Sequence, residues 1–176
     1  MIGDVTTSVI ADRDKKKKMN ELYVDVFERL NCMMNLSGEV VSQSIDGTIT
    51  MRSYLSGCPP VRMLLSENTL VGKDTPIPVV QDTEGRTLSA DDFIILDDIN
   101  FNGCMKLDQF DTQRLLCFNP PEGEFTAVNY RITASFKPPF TIRPMVEEKS
   151  ETKIELILQV RAEFEPDVDA SNVFIS

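Results

Sequence analysis

Phe118-Asn-Pro-Pro-Glu-Gly-Glu-Phe-Thr-Ala-Val-Asn-Tyr-Arg131 is a turn that feeds a strand. Pro120 and Pro121 fix φ at about −65° and have no N–H to give to a ladder. Gly123 permits the reversal that follows. From Phe125 to Ile132, apolar, β-branched and aromatic residues alternate with polar ones, the pattern of a half-buried strand. A stiff turn entering a strand of this kind predicts a β protein.

The same pattern extends in both directions. Leu22, Val24 and Val26 share one face of a strand that can run to Met34, and Tyr23, Asp25, Phe27 and Arg29 share the other. Leu36-Ser-Gly-Glu39 turns the chain. Val40 to Ile45 reads as a second strand, Asp46-Gly47 as a hairpin turn and Thr48 to Leu55 as a third strand. Gly57-Cys-Pro-Pro60 ends that strand, and Val61 to Ser66 gives a fourth. Residues 72–92 read as a polar surface loop with room for a short strand at Ile77 to Val80. Phe93 to Leu96, Arg114 to Phe118, Phe140 to Glu147 and Lys153 to Phe164 continue the series, and Asn100 to Leu107 reads as a further strand or an irregular segment. In the last of these, Ile154, Leu156, Leu158 and Val160 oppose Glu155, Gln159 and Arg161. No helical period persists beyond about two turns. The fold class is all-β, an antiparallel β-sandwich.

Length and composition allow one domain over residues 20–176 with a sizeable core: 176 residues, 41% hydrophobic. Residues 1–19 are polar and mixed in charge, a flexible lead-in. They hold the one basic block, Lys15 to Lys18, which reads as a solvated linker or, alternatively, as a lipid-binding patch. No apolar run approaches the roughly 20 residues of a membrane helix. The N-terminus lacks the pattern of a secretory signal, so a cytosolic protein is expected. The net charge of −10 argues against nucleic acid as a partner. Four cysteines, at 32, 58, 104 and 117, form no Cys-x-x-Cys pair, and the chain has no His. Reduced, mostly buried thiols are expected, without a metal or disulfide. Asn35-Leu-Ser37 matches a glycosylation sequon by chance.

Three segments, in order, carry a family resemblance: Asn20-Glu-Leu-Tyr-Val-Asp-Val-Phe-Glu-Arg-Leu30, Ile45-Asp-Gly-Thr-Ile-Thr-Met-Arg-Ser-Tyr-Leu-Ser-Gly57 and the Pro-Pro-Glu-Gly-Glu-Phe run. They resemble the mu homology domain of the medium (mu) subunits of clathrin-type adaptor complexes. Ile94-Ile-Leu-Asp-Asp-Ile-Asn-Phe101, Leu107-Asp-Gln-Phe-Asp111, Lys137-Pro-Pro-Phe140 and Arg161-Ala-Glu-Phe164 are most similar to the branch of adaptor-protein complex four. The resemblance spans Asn20 to Phe174. It implies that the chain begins in a hinge, covers most of the first of two β subdomains and ends where the second would begin. It also implies that a sheet edge or part of a face lacks cover and that the chain self-associates.

By the same resemblance the domain binds cytosolic tails bearing Tyr-x-x-Φ signals, where Φ is a bulky apolar residue. Tyr23 falls at the aromatic wall of the tyrosine pocket, Asp25 at the acceptor for the phenol hydroxyl, Arg52 at a basic position and Val24 in the apolar pocket. Tyr23 and Asp25, at i and i+2, also project together on any strand. The family's remaining pocket residues come from C-terminal strands beyond this sequence, which implies an incomplete site that binds such peptides weakly or not at all. A second peptide surface, associated with the complex-four branch, falls on Phe101, Asp111 and Asn129. There Asp111 is a shorter acid than the family's Glu, and Asn129 replaces a basic residue, losing a charge-assisted contact. The plainer alternatives are an exposed edge-strand face for Tyr23 and Asp25, a core role for Phe101 and a turn cap for Asp111.

Catalysis has no support in the residues. There is no His, no Gly-rich phosphate loop and no Ser or Cys beside a base. Asp91-Asp92 and Asp97-Asp98 do not fit a calcium-loop spacing. No cofactor is expected. The expected function is cargo recognition in intracellular vesicle-mediated transport. The expected partners are cargo tails and the two large and one small subunits of an adaptor complex. The chain would then lie peripheral to Golgi, trans-Golgi or endosomal membranes and coated vesicles. The alternative is a structural β-sandwich that docks on other subunits and reads no signal.

Overall fold

The computed structural model describes residues 20–175; the lead-in expected over residues 1–19, with its Lys15 to Lys18 block, lies outside them. The described residues are overwhelmingly β. A four-stranded sheet runs in the order β1 (Leu22–Met34), β2 (Val40–Ser53), β9 (Gly123–Ile132), β6 (Asp98–Phe101). A three-stranded sheet is ordered β3 (Val61–Leu64), β8 (Leu115–Phe118), β7 (Met105–Lys106). β10 (Phe140–Ser150) and β11 (Lys153–Ala162) form an antiparallel hairpin. β4 (Thr69–Val71) and β5 (Ile94–Leu96) pair in parallel, a departure from the antiparallel expectation.

By its contacts the chain divides into two compact units. One takes residues up to Glu28 with Asp46–Arg131; the other takes Arg29–Ile45 with the chain from Ile132 onward. The division falls inside β1 and β2.

The first unit holds the core. Ile49 and Met51 of β2, Ala127 and Val128 of β9, Met105 of β7, and Leu116 and Phe118 of β8 join Phe110, which lies on a single helical turn, α1 (Phe110–Gln113). These come from the four- and three-stranded sheets, whose facing apolar sides make the expected sandwich. The opening stretch serves this core. Pro120 is fully buried, Asn119 Nδ2 donates to the carbonyl of Cys58 at 2.7 Å, and Gly123 takes φ +92°, where a side chain is disfavoured. In the second unit no described residue is buried.

Two readings of the sequence are corrected. Asp46-Gly47 is not a turn: Val40–Ser53 is one continuous strand. A Cβ on Gly47 would collide with the Tyr130 ring, so the glycine admits an aromatic ring lying on the backbone rather than a reversal. The Tyr130 hydroxyl then donates to Glu28 Oε1 at 2.6 Å. The cysteines are not buried either. Cys32 and Cys58 are exposed, and Cys104 and Cys117 half-buried, all as free thiols. β1 and β10 hold Cys32 and its neighbours at an open surface, and Cys58 occupies a turn at φ 47°.

Ile77 to Val80 forms no strand. The Leu88 N–H instead donates to the Val80 carbonyl at 2.9 Å, and Gln81 bridges Thr87. No residue of 72–92 is buried. Around the bridge, Asp82 Oδ1 accepts the N–H groups of Glu84 and Arg86, and Arg86 reaches both Asp82 and Asp92. Asp92 Oδ2 accepts the Ser89 N–H at 2.7 Å and its hydroxyl at 2.8 Å, capping the short turn that begins at Ala90. Asn35 of the sequon organises a turn: its Oδ1 accepts the N–H groups of Ser37 and Glu39.

Candidate functional site

The register divides the four-stranded sheet into two faces. Ile99 lies opposite Tyr130 and Phe101 opposite Val128, which places Ile99, Phe101, Val128 and Tyr130 on the core side. Asn100 opposes Asn129 and Asp98 opposes Arg131 on the other side. That second face carries a row of cross-strand polar pairs. Arg131 Nη1 meets Asp46 at 3.1 Å, and the Thr48 hydroxyl donates to Asn129 Oδ1 at 3.0 Å. Further along the row stand Arg52 and Asp25, 3.3 Å apart.

At that end the sheet gathers three of the four residues assigned to the tyrosine pocket. The guanidinium carbon of Arg52 sits 5.5 Å from the centre of the Tyr23 ring while its Nη2 holds the Asp25 carboxylate. β1 is an outer strand of its sheet and β2 its neighbour, so i and i+2 on β1 bracket one side chain of β2. Val24, the intervening residue, projects to the opposite face. Two further residues, not singled out by the sequence, complete the cluster. Tyr54 packs edge-on against Tyr23 with centroids 6.2 Å apart, and Glu21 accepts the Tyr23 hydroxyl at 2.5 Å. The hydrogen bond to the Glu21 carboxylate raises the Tyr23 phenol above its ordinary pKa. Tyr54 was within reach of the sequence, since it stands two residues beyond Arg52 on the same face.

Phe101, Asp111 and Asn129 are not gathered on one face. Phe101 is half-buried and makes an edge-on contact with Phe110, 4.8 Å between centroids, as part of the core. Asn129 lies on the other side of the sheet. Asp111 is exposed in the first turn of α1 and does not occupy its cap position, which belongs to Gln109. The helix ends at Arg114 (φ 54°), whose guanidinium binds the carbonyls of Thr69 at 2.7 Å, Phe110 at 3.1 Å and Asp111 at 3.2 Å.

In the second unit, Leu30, Cys32, Met34 and Leu36 face Pro138, Pro139, Phe140, Ile142 and Pro144 across an open apolar cleft of about 420 Å³. Among the described residues no group of His, Cys, Asp and Glu is arranged to hold a metal ion.

The fold matches solved structures. The yeast delta-COP-I mu-homology domain superposes with a TM-score of 0.55 over 81% of this chain and 51% of that one, at 12% identity. The same yeast domain complexed with a Dsl1 WxWxV peptide gives 0.51. The architecture is that of a mu-homology domain. The sequence model of the adaptor complexes medium subunit family matches residues 9–176, and the chain belongs to that family. It is 38% identical to the AP-4 complex subunit mu of Arabidopsis thaliana, over 97% of this chain and 37% of that protein. It is 35% identical to the AP-2 complex subunit mu of Caenorhabditis elegans, over 90% of this chain and 35% of that protein. The chain thus spans little more than a third of the length of these relatives.

Proposed function

We propose that this chain is a cargo-recognition module of an adaptor complex in intracellular vesicle-mediated transport, and that it reads tyrosine-based signals in cytosolic tails. Membership of the medium subunit family supports the adaptor role. The Tyr23–Arg52–Asp25 grouping across the outer strand β1 and its neighbour β2 is the observation that carries signal binding. An extended peptide adds along the outer edge of β1 through main-chain hydrogen bonds. Its tyrosine ring packs against Tyr23 and the Arg52 guanidinium, and Asp25 accepts the phenol hydroxyl. The Arg52–Asp25 pair already exists, so acceptor and cation are placed before the peptide arrives. The structural likeness to a peptide-bound domain shows that this architecture accommodates peptides elsewhere, and is consistent with the reading.

As part of such a complex the chain acts at the cytoplasmic face of Golgi, endosomal or vesicle membranes, held there with the two large and one small subunits. The second surface is kept as a competing location on Phe101, which packs against Phe110, and on Asp111, the residue after Phe110; Asn129 lies on the other side of the sheet from Phe101.

Calorimetric titration with a Tyr-x-x-Φ peptide tests the proposal. Asp25→Ala and Arg52→Ala are expected to weaken binding at least tenfold, with Asp111→Ala unchanged. Weakening by Asp111→Ala alone moves the site to the second surface. Absence of binding to any such peptide by the full-length protein overturns signal reading and leaves a module that only docks on other subunits.

A further inference from the structure

Tyr23 is the aromatic member of the signal-reading cluster and is 44% exposed, so core packing does not select its rotamer. Three contacts orient the ring instead. The Arg52 guanidinium carbon stands 5.5 Å from the ring centre, and Asp25 holds that guanidinium at 3.3 Å. Tyr54 meets the ring edge-on, at an interplanar angle of 78°. The third contact is at the hydroxyl, which donates to Glu21 Oε2 at 2.5 Å. It ties the outer end of the ring to a residue whose backbone is itself fixed. Glu21 stands just before β1 and Tyr54 just after β2, and the Tyr54 N–H donates to the Glu21 carbonyl at 2.9 Å. Beside it, Asn20 Oδ1 accepts the Ser56 N–H at 2.8 Å. Glu21 is half-buried, and a phenol donating to a carboxylate makes a stronger bond than a neutral pair does.

We propose that Glu21 is a positioning residue for signal recognition: through the Tyr23 hydroxyl it holds the Tyr23 ring in the orientation that receives the tyrosine of a Tyr-x-x-Φ peptide, without touching the peptide itself. This rests on the signal-reading function proposed for the Tyr23–Arg52–Asp25 cluster. The two carboxylates then have separate tasks. Asp25 orients the cation and accepts the incoming phenol, and Glu21 orients the aromatic wall. A phenylalanine at position 23 would offer the same aromatic face but no group for Glu21 to hold. Its ring would lose rotational freedom at the moment of binding rather than before it, and affinity would fall by that cost. A hydroxyl already committed to Glu21 therefore matters for affinity, and matters only while Glu21 is there to accept it. Tyr54 completes the arrangement, because the same backbone bond that fixes Glu21 sets the ring of Tyr54 against Tyr23.

Calorimetric titration of the full-length protein with a Tyr-x-x-Φ peptide, as a double-mutant cycle on Glu21 and Tyr23, tests this. Glu21→Ala and Tyr23→Phe are each expected to weaken binding about threefold, the cost of ordering one side chain. The double variant is expected to bind no more weakly than either. Glu21→Gln is expected to stay within about twofold of wild type, because the carboxamide oxygen still accepts the hydroxyl. A loss in Glu21→Gln as large as in Glu21→Ala assigns the effect to charge and overturns the proposal. In the absence of peptide, carbon-13 NMR of labelled tyrosine is expected to show the Tyr23 phenol ionising at lower pH in Glu21→Ala than in wild type; an unchanged titration overturns the proposal too. If wild-type protein binds no such peptide, signal reading fails and this role falls with it. If wild type binds but Glu21→Ala is neutral, or costs as much in a Tyr23→Phe background, signal reading stands and the positioning role is overturned.

Discussion

Gly47→Ala is the sharpest test of how the four-stranded sheet is built. The glycine's φ is not positive, so alanine meets no backbone penalty, and the loss of unfolded-state freedom stabilises by about 0.4–1 kcal/mol. Against that, the new methyl occupies the position of the Tyr130 ring. Forcing an added methyl into a packed site costs about 1–3 kcal/mol. Moving the ring also pulls its hydroxyl from Glu28, forfeiting about 1 kcal/mol. The net expectation is destabilisation by about 2 kcal/mol. With a urea m value of about 2 kcal/mol/M, the midpoint falls by about 1 M. The assay is urea unfolding followed by circular dichroism, in wild-type and Tyr130→Ala backgrounds. Without the ring, Gly47→Ala is expected to be neutral or slightly stabilising. If its cost persists in Tyr130→Ala, the glycine is required by the backbone, as in a turn, and the close-approach argument fails. A neutral result in the wild-type background refutes it equally.

Arg114→Ala is expected to cost about 2 kcal/mol, because charge-assisted bonds to the three carbonyls are lost; Arg114→Lys recovers little of it, since an ammonium lacks the planar fork, and thermal unfolding of both variants checks this. Asp92 is held below its usual pKa by the Ser89 N–H and hydroxyl and then by Arg86. A depressed folded-state pKa gives a contribution present above the unfolded value of about 3.9 and lost as pH falls through the folded one. Protection of the Ser89 amide, its exchange rate relative to the intrinsic rate at each pH, is therefore expected to fall in that acid range, and to show no such change in Asp92→Asn. Tyr130 is raised, first by burial and then by its bond to Glu28. Its contribution is complete below the unfolded value of about 10 and is lost as pH rises through the folded one, so ultraviolet titration should show a late-ionising phenol that Tyr130→Phe removes.

The sequence carried the strands whose signals are local. Leu22–Met34, Phe140–Ser150 and Lys153–Ala162 alternate over many residues, and the Pro-Pro-Glu-Gly turn marks the start of β9. Strands specified by distant partners were not legible. Thr69–Val71 is three residues long and exists because Ile94–Leu96 lies beside it in parallel. Asp46-Gly47 reads as a hairpin since its real cause, the Tyr130 ring, sits more than eighty positions away. The tyrosine cluster was half legible. Tyr23 and Asp25 share a face by parity and the resemblance supplied Arg52, but it is cross-strand packing that brings Arg52, and Tyr54 two residues on, against Tyr23. Parity likewise explains why Phe101 and Asn129 separate: their strands pair with Phe101 opposite Val128 rather than Asn129.

Signal reading is tested most directly by NMR mapping of a Tyr-x-x-Φ peptide on the labelled chain, beside a control peptide with Ala for Tyr. The account predicts saturable shifts at the amides of Tyr23, Val24, Asp25, Arg52 and Tyr54 with the tyrosine peptide alone. Equal shifts with both peptides, or shifts confined to the region of Phe101 and Asp111, would contradict it.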